Sequence, residues 1–181
     1  MTNLLLGLKV AILVANGFEL SELEKPKKAL ENEGAIVEII SPEKSKVQSW
    51  NNDNWSKKLK VDIELSLANA NKYDALVLPG GVMNPDKLRI IPDAIKFIKE
   101  FVINEKPIAA ICHGPWTLIN AQAVKGKKLT SWPSLELDLK NAGADWIDEE
   151  VVVDDNLVTS RKPEDIPAFN REMIKLFSTK K

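Results

Sequence analysis

The chain has 181 residues, 44% hydrophobic and 28% charged, proportions that suit one globular domain with a sizeable core. Its 25 basic and 26 acidic side chains leave a formal net charge of -1, with no basic footprint for nucleic acid or acidic lipid. A single cysteine and a single histidine exclude an internal disulfide, a structural zinc site of several Cys or His ligands, and a triad whose histidine stands far from its cysteine.

Residues 1–8 have no basic n-region, and Lys9 interrupts their apolar character before it could span a membrane. They are expected to lead into a strand. With one thiol and no export signal, a reducing cytoplasm is the expected compartment. The run KVAILVA at 9–15 is nearly continuous and β-branched, which predicts a strand buried on both faces. Asn16-Gly17 ends it. A helix follows with Leu20, Leu23, Ala29 and Leu30 on one face, Pro26 near its start or at a kink, and Gly34 closing it. Residues 35–40 form the second strand.

Residues 41–65 differ in character. Short alternating pieces at 46–50 and 59–63 flank a polar stretch between Trp50 and Trp55, which predicts a small β-hairpin excursion. Strands are expected at 74–78, ending in Pro79-Gly80-Gly81, and at 108–111, separated by an amphipathic helix at 92–104. A helix at 115–124 comes next, then late strands at 128–131, 150–153 and 157–160, the last two joined by an Asp154-Asp155-Asn156 turn. A closing helix at 163–177 has Pro163 in its first turn. Buried strands alternating with amphipathic helices predict an α/β fold: a doubly wound, mostly parallel sheet sandwiched by helices, in a single domain over 1–181.

In such sheets ligands bind beyond the carboxyl ends of the strands. Three of those ends carry unusual residues: Asn16-Gly17-Phe18-Glu19, Pro79-Gly80-Gly81 and Cys112-His113-Gly114. A cysteine on a tight strand-to-helix turn is held exposed, and the start of a helix favours its thiolate, a strong nucleophile. The competing reading is a buried cysteine acting as a small hydrophobe. His113 is either an acid/base in the same cleft or an imidazole bonded for structural reasons, because adjacency alone does not make a catalytic pair. Glu19 is either a carboxyl within reach of the sulfur or an exposed glutamate in a helix's first turn. Gly80-Gly81 permits close backbone approach, which suits an oxyanion-binding N–H from Gly81 together with that of His113. No metal site and no dinucleotide or phosphate-binding fingerprint is present.

Taken together, Asn16-Gly17-Phe18-Glu19, the ALVLPGG run at 75–81, the AICHGP run at 110–115, the NAGA run at 141–144 and the EVVVD run at 150–154 resemble the PfpI family of the PfpI/ThiJ superfamily. Thr159, Arg161, Pro163, Asp165 and Phe169 resemble that family's C-terminal stretch, and the likeness runs over residues 8–177. It implies a flavodoxin-like sandwich with the nucleophile at Cys112 on a nucleophile elbow, its neighbouring histidine at His113, and the thiol-bonding glutamate at Glu19. It further implies that an acidic residue from a second copy orients the histidine. Asp86 is the match, which makes the working form a homodimer or higher oligomer.

Members of that family are described as intracellular cysteine peptidases, glutathione-independent glyoxalases, deglycases and stress-protective proteins. A cleft with one cysteine and one carboxyl suits thiol addition to an aldehyde, with proton transfer through an enediol and no cofactor. Peptide hydrolysis asks more of the histidine. The leading expectation is therefore a cysteine-dependent enzyme acting on reactive aldehydes or their adducts. An intracellular cysteine peptidase comes second, and a non-enzymatic redox sensor or holdase that oxidises at Cys112 comes third. No nucleic-acid or membrane partner is expected.

Overall fold

The computed structural model describes residues 3–51 and 53–179. Met1 and Thr2 of the lead-in, and Asn52 of the polar stretch, lie outside the described residues. In chain order the elements are β1 (Lys9–Leu13), β2 (Phe18–Glu19), α1 (Leu20–Asn32), β3 (Ile36–Ser41), β4 (Lys46–Asn51), β5 (Asn54–Lys60), β6 (Ile63–Glu64) and β7 (Ala75–Leu78). Then come α2 (Met83–Leu88), α3 (Pro92–Ile103), β8 (Ile108–Ile111), α4 (Trp116–Asn120), β9 (Lys128–Leu129), α5 (Glu136–Asn141), β10 (Asp145–Trp146), β11 (Val151–Asp154), β12 (Leu157–Ser160) and α6 (Ile166–Ser178).

A seven-stranded sheet with the order β11-β12-β8-β7-β1-β3-β6 forms the centre. Its pairs are parallel except β11 with β12, the hairpin expected from the Asp154-Asp155-Asn156 turn. The chain leaves β1 for β3 on one side and then crosses back to β7 on the other. The switch point therefore falls between β1 and β7, where an open α/β sheet leaves a crevice at its carboxyl edge. The strands read as apolar runs because both faces are covered. Val10, Ile12, Val77 and Ile111 pack with Leu23 and Leu30 of α1 and Phe169 and Phe177 of α6. Ala11, Leu13, Leu76 and Ala110 pack on the other face with Phe97 and Phe101 of α3 and Leu118 of α4. This is the expected α/β architecture.

The hairpin excursion is present as antiparallel β4 and β5, joined to the two-residue strand β2 in a separate three-stranded sheet. Its second arm covers Asn54–Lys60, and Ile63 belongs to a different strand at the edge of the main sheet. Pro26 lies well inside α1, which starts at Leu20 and is closed by Gly34 at φ +89. The helix expected at 115–124 shrinks to α4, because the chain turns away after Asn120 and Gln122 takes φ +59. Residues 130 and 131 leave the short parallel pair that β9 makes with β10. Helices α2 and α5 were not expected; each has only six residues, too short to show a helical period.

Phe101 is fully buried and packs its ring 5.3 Å from that of Phe97. We expect Phe101→Ala to cost about 3–5 kcal/mol in urea denaturation. Leu137→Ala, at a position 67% exposed, should stay within about 0.5 kcal/mol of wild type.

Candidate active site

The carboxyl ends of β1, β7 and β8 meet beneath one cleft of about 550 Å³. Asn84, fully buried, ties two of them together. Its Oδ1 accepts from Ala15 N–H at 2.7 Å, and its Nδ2 donates to the carbonyls of Pro79 and Gly80 at 2.9 and 3.1 Å. The backbone of the third end is strained. Cys112 sits at φ +61, a conformation few side chains adopt. Three backbone hydrogen bonds hold that turn: Cys112 N–H to Ser160 O at 3.0 Å, Trp132 N–H to Cys112 O at 2.9 Å, and Gly114 N–H to Ile111 O at 2.8 Å.

Gly80 and Gly81 are needed for close approach, as expected. A Cβ on Gly80 would stand 2.7 Å from the Cys112 Cβ and 2.7 Å from Glu22 Oε2. Gly81 has φ +75, and a Cβ there would meet the Gly17 carbonyl oxygen at 2.5 Å. With no side chains between, the backbone N–H groups of Gly81 and His113 both point at the Cys112 sulfur.

The carboxyl beside the sulfur belongs to Glu22, not to Glu19. Glu19 caps α1: its Oε1 accepts from the Ser21 hydroxyl at 3.1 Å, and its half-buried carboxylate lines the cleft without touching the sulfur. Glu22, one turn further along α1, falls on the helix's buried face with Leu23 and Pro26. It is completely buried, accepts from Gly80 N–H through Oε2 at 2.8 Å, and engages the Cys112 thiol. Its Oε1 has no conventional hydrogen-bond partner, which leaves room for a proton. Burial pushes this carboxyl up to about 8, so it is neutral at pH 7. A charged residue inside the apolar stripe of α1 was the signal that sequence reasoning passed over.

The cysteine environment also corrects an expectation. Burial raises the Cys112 thiol well above its ordinary value, and negative charge on Glu22 would raise it further. The Gly81 and His113 N–H groups act the other way but do not prevail. With only one turn, α4 adds little dipole. The resting pair is thus a thiol beside a carboxylic acid.

His113 Nδ1 stands 3.3 Å from the sulfur, so the two rare residues do share one cleft. Burial depresses the imidazole to about 4, which leaves it neutral with a free lone pair. Its Nε2 lies 3.3 Å from the Ser134 hydroxyl, a neighbour from the same chain that sequence reasoning did not find. Asp86 is exposed on α2 and lines neither the thiol cleft nor the smaller one beside His113. Arg161 donates to Asp165 and Asp148 at 2.9 and 2.8 Å, fixing the segment that brings Pro163 to the cleft rim. A larger depression, about 660 Å³, opens at the opposite end of the sheet beside Ile108 and Leu157, away from Cys112 and His113. Among the described residues no cluster of His, Cys, Asp or Glu is placed to hold a metal ion, and no helix is long and apolar enough to cross a membrane.

A buried acid held neutral makes the fold pH-sensitive in a defined direction. Glu22 binds its proton more tightly folded than unfolded, so its contribution to stability is complete below about pH 4.5 and is lost as the pH rises towards 8. We expect the melting temperature of Glu22→Gln to gain on that of wild type steadily from pH 5 to pH 8. A constant difference across that window would show that the carboxyl titrates normally.

Comparison with known proteins gives the fold and site a setting. General stress protein 18 of Bacillus subtilis is 44% identical over 172 residues, covering 94% of this chain and 98% of the relative. A second Bacillus subtilis protein, YraA, provisionally named a cysteine protease, is 45% identical over 168 residues, 93% of this chain and 97% of its own. Protein/nucleic acid deglycase 2 of Escherichia coli is 41% identical over 169 residues, 93% and 96% of the two chains. The crystal structure of Drosophila melanogaster DJ-1beta superposes with a TM-score of 0.85 at 26% identity, over 94% of this chain and 90% of that one. The sandwich is accordingly flavodoxin-like, as in DJ-1 structures. The DJ-1/PfpI family model matches residues 8–176, and the chain belongs to that family.

Proposed function

We propose that this protein is a cysteine-dependent, cofactor-independent stress-protective enzyme that acts on reactive aldehydes or their adducts from a nucleophile elbow at Cys112. The observation that carries this reading is the Cys112 thiol held between a buried, neutral carboxyl and a neutral imidazole 3.3 Å away. The names of the deglycase and stress-protein relatives support it at the level of class.

The chemistry follows from the groups present. His113 Nδ1 takes the thiol proton as the sulfur adds to the aldehyde carbon, and returns it to the carbonyl oxygen to give a hemithioacetal. The N–H groups of Gly81 and His113, already aimed at the sulfur, lie beside that oxygen and offset its charge. For an α-oxoaldehyde, His113, neutral again, takes the proton from the sulfur-bearing carbon to give an enediol and returns it to the adjacent carbon, which gives a thioester. Water then releases the hydroxy acid and restores the thiol. Oxidation of one carbon balances reduction of its neighbour, so no external oxidant is needed. Glu22 keeps its proton near the sulfur throughout and does not repel the negative charge that develops there.

Peptide hydrolysis fits less well. Expelling an amine needs the proton held on the imidazole through the life of a tetrahedral intermediate, whereas aldehyde addition needs it only in transit, and burial, which depresses the ring to about 4, disfavours holding it. Among the described residues no carboxylate hydrogen-bonds the imidazole to raise it. Asp86 is exposed and out of reach of its own cleft, which suits a residue lent to a second copy. We include that homodimer in the proposal, with a reducing cytoplasm as the compartment that preserves the thiol.

The test is methylglyoxal loss and peptide cleavage by purified protein in parallel. We expect methylglyoxal turnover that falls to background in Cys112→Ala and about 10²-fold in His113→Ala, while Glu22→Gln, which keeps a neutral side chain beside the sulfur, and Glu19→Gln retain it. Turnover that survives Cys112→Ala sinks the mechanism, and Cys112-dependent peptide cleavage without aldehyde loss selects the peptidase. Asp86→Ala should lower activity while leaving the melting temperature unchanged. A fully active monomer at assay concentration contradicts the shared site.

A further inference from the structure

The Trp50–Trp55 pair plays no part in this chemistry, and it sits on a hairpin outside the main sheet. Its position is nevertheless fixed by the site. Parallel pairing of β2 with β4 sets Trp50 opposite Glu19, so the strand that leads into α1 and Glu22 also brings Trp50 to the thiol cleft. Trp55 lies across the hairpin from Trp50 and meets its ring edge-on, at 5.4 Å and 82°. Lys87 of α2 stands 5.9 Å over the Trp55 ring. The Trp50 ring is therefore oriented by its neighbours, although the β5 arm is mostly exposed and polar and gives a core no reason to recruit an indole there.

Beside His113 stands Trp132. Its backbone N–H donates to the Cys112 carbonyl, which anchors it to the elbow. Its ring stacks on that of His113 at 5.9 Å and 23° while remaining 39% exposed. Val82, Met83 and Pro163 complete an apolar wall, and no lysine or arginine lines the cleft among the described residues. The volume of about 550 Å³ falls in the range of about 300–1,000 Å³ used for ligands of many heavy atoms. Methylglyoxal would leave most of it unfilled.

We infer that Trp50 and Trp132 form a specificity slot for an uncharged aromatic group attached to the reactive carbonyl. Rigid indoles held by other rings favour a flat partner through offset or edge-to-face contact. A cleft without cations rejects phosphate- or carboxylate-tailed substrates, which would enter it unpaired. The inference takes its chemistry from the aldehyde reading, but the slot itself can be tested without turnover.

Two pairs of probes separate the claims. Phenylglyoxal and methylglyoxal are compared as substrates. 2-Hydroxyacetophenone and hydroxyacetone, neutral ketols with the same carbon skeletons and no aldehyde, are compared for binding by calorimetry. We expect the aromatic member to be favoured about tenfold or more in each pair. Trp50→Ala and Trp132→Ala should each reduce that preference about three- to tenfold. Trp50→Phe should keep most of it, and Trp50→Leu, which preserves bulk without a flat face, should not. Equal binding of the two ketols, or a preference that none of these variants changes, overturns the slot. A retained preference for the aromatic ketol with neither aldehyde turned over upholds the slot and discards the aldehyde chemistry.

Discussion

The Glu22 carboxyl is confined beneath the Cys112 sulfur in a space that only the bare backbone of Gly80 leaves open. Each partner sets the other's condition. Burial alone would keep the carboxyl neutral, and a neutral carboxyl is the only kind that can lie beside a developing thiolate without opposing it. Everything around the pair maintains that confinement. The φ +61 turn brings the sulfur inward, Asn84 ties the ends of β1 and β7, and the buried face of α1 delivers the acid.

The topology explains why the site lies there. Strand order reverses between β1 and β7, and β8 enters on the β7 side, so the ends that carry Gly17, Gly81 and Cys112 converge. Convergence of backbone rather than side chains leaves N–H groups free to face the sulfur. The histidine then needs little from the fold. Its ring is clamped against Trp132 and lies between the sulfur and the Ser134 hydroxyl, and its burial keeps it neutral.

Much of the fold was legible in the chain. Runs such as KVAILVA at 9–15 and ALVL at 75–78 are apolar because helices cover both faces of the strand, and the period of α3 and α6 shows directly which side they bury. Short elements were not legible. A six-residue helix such as α2, or a two-residue strand such as β2, has no period to detect. The candidate nucleophile could be found because rarity and a turn motif coincide at Cys112. Its acidic partner was misplaced by one helical turn, because Glu19 stands closer to the strand end while helix geometry turns Glu22 inward. Ser134, Trp50 and Trp132 reach the cleft through tertiary pairing, which no local pattern records.

Burial against Cys112 keeps Glu22 a carboxylic acid at neutral pH, a state that can be measured without substrate. Carbon NMR of protein labelled at the glutamate side-chain carboxyl, assigned by comparison with Glu22→Gln, gives that group's titration directly. We expect one glutamate resonance with a midpoint near 8, among others that titrate in the ordinary carboxylate range. A Glu22 resonance that titrates with the others would contradict it, and the coupling between acid and thiol would have to be abandoned.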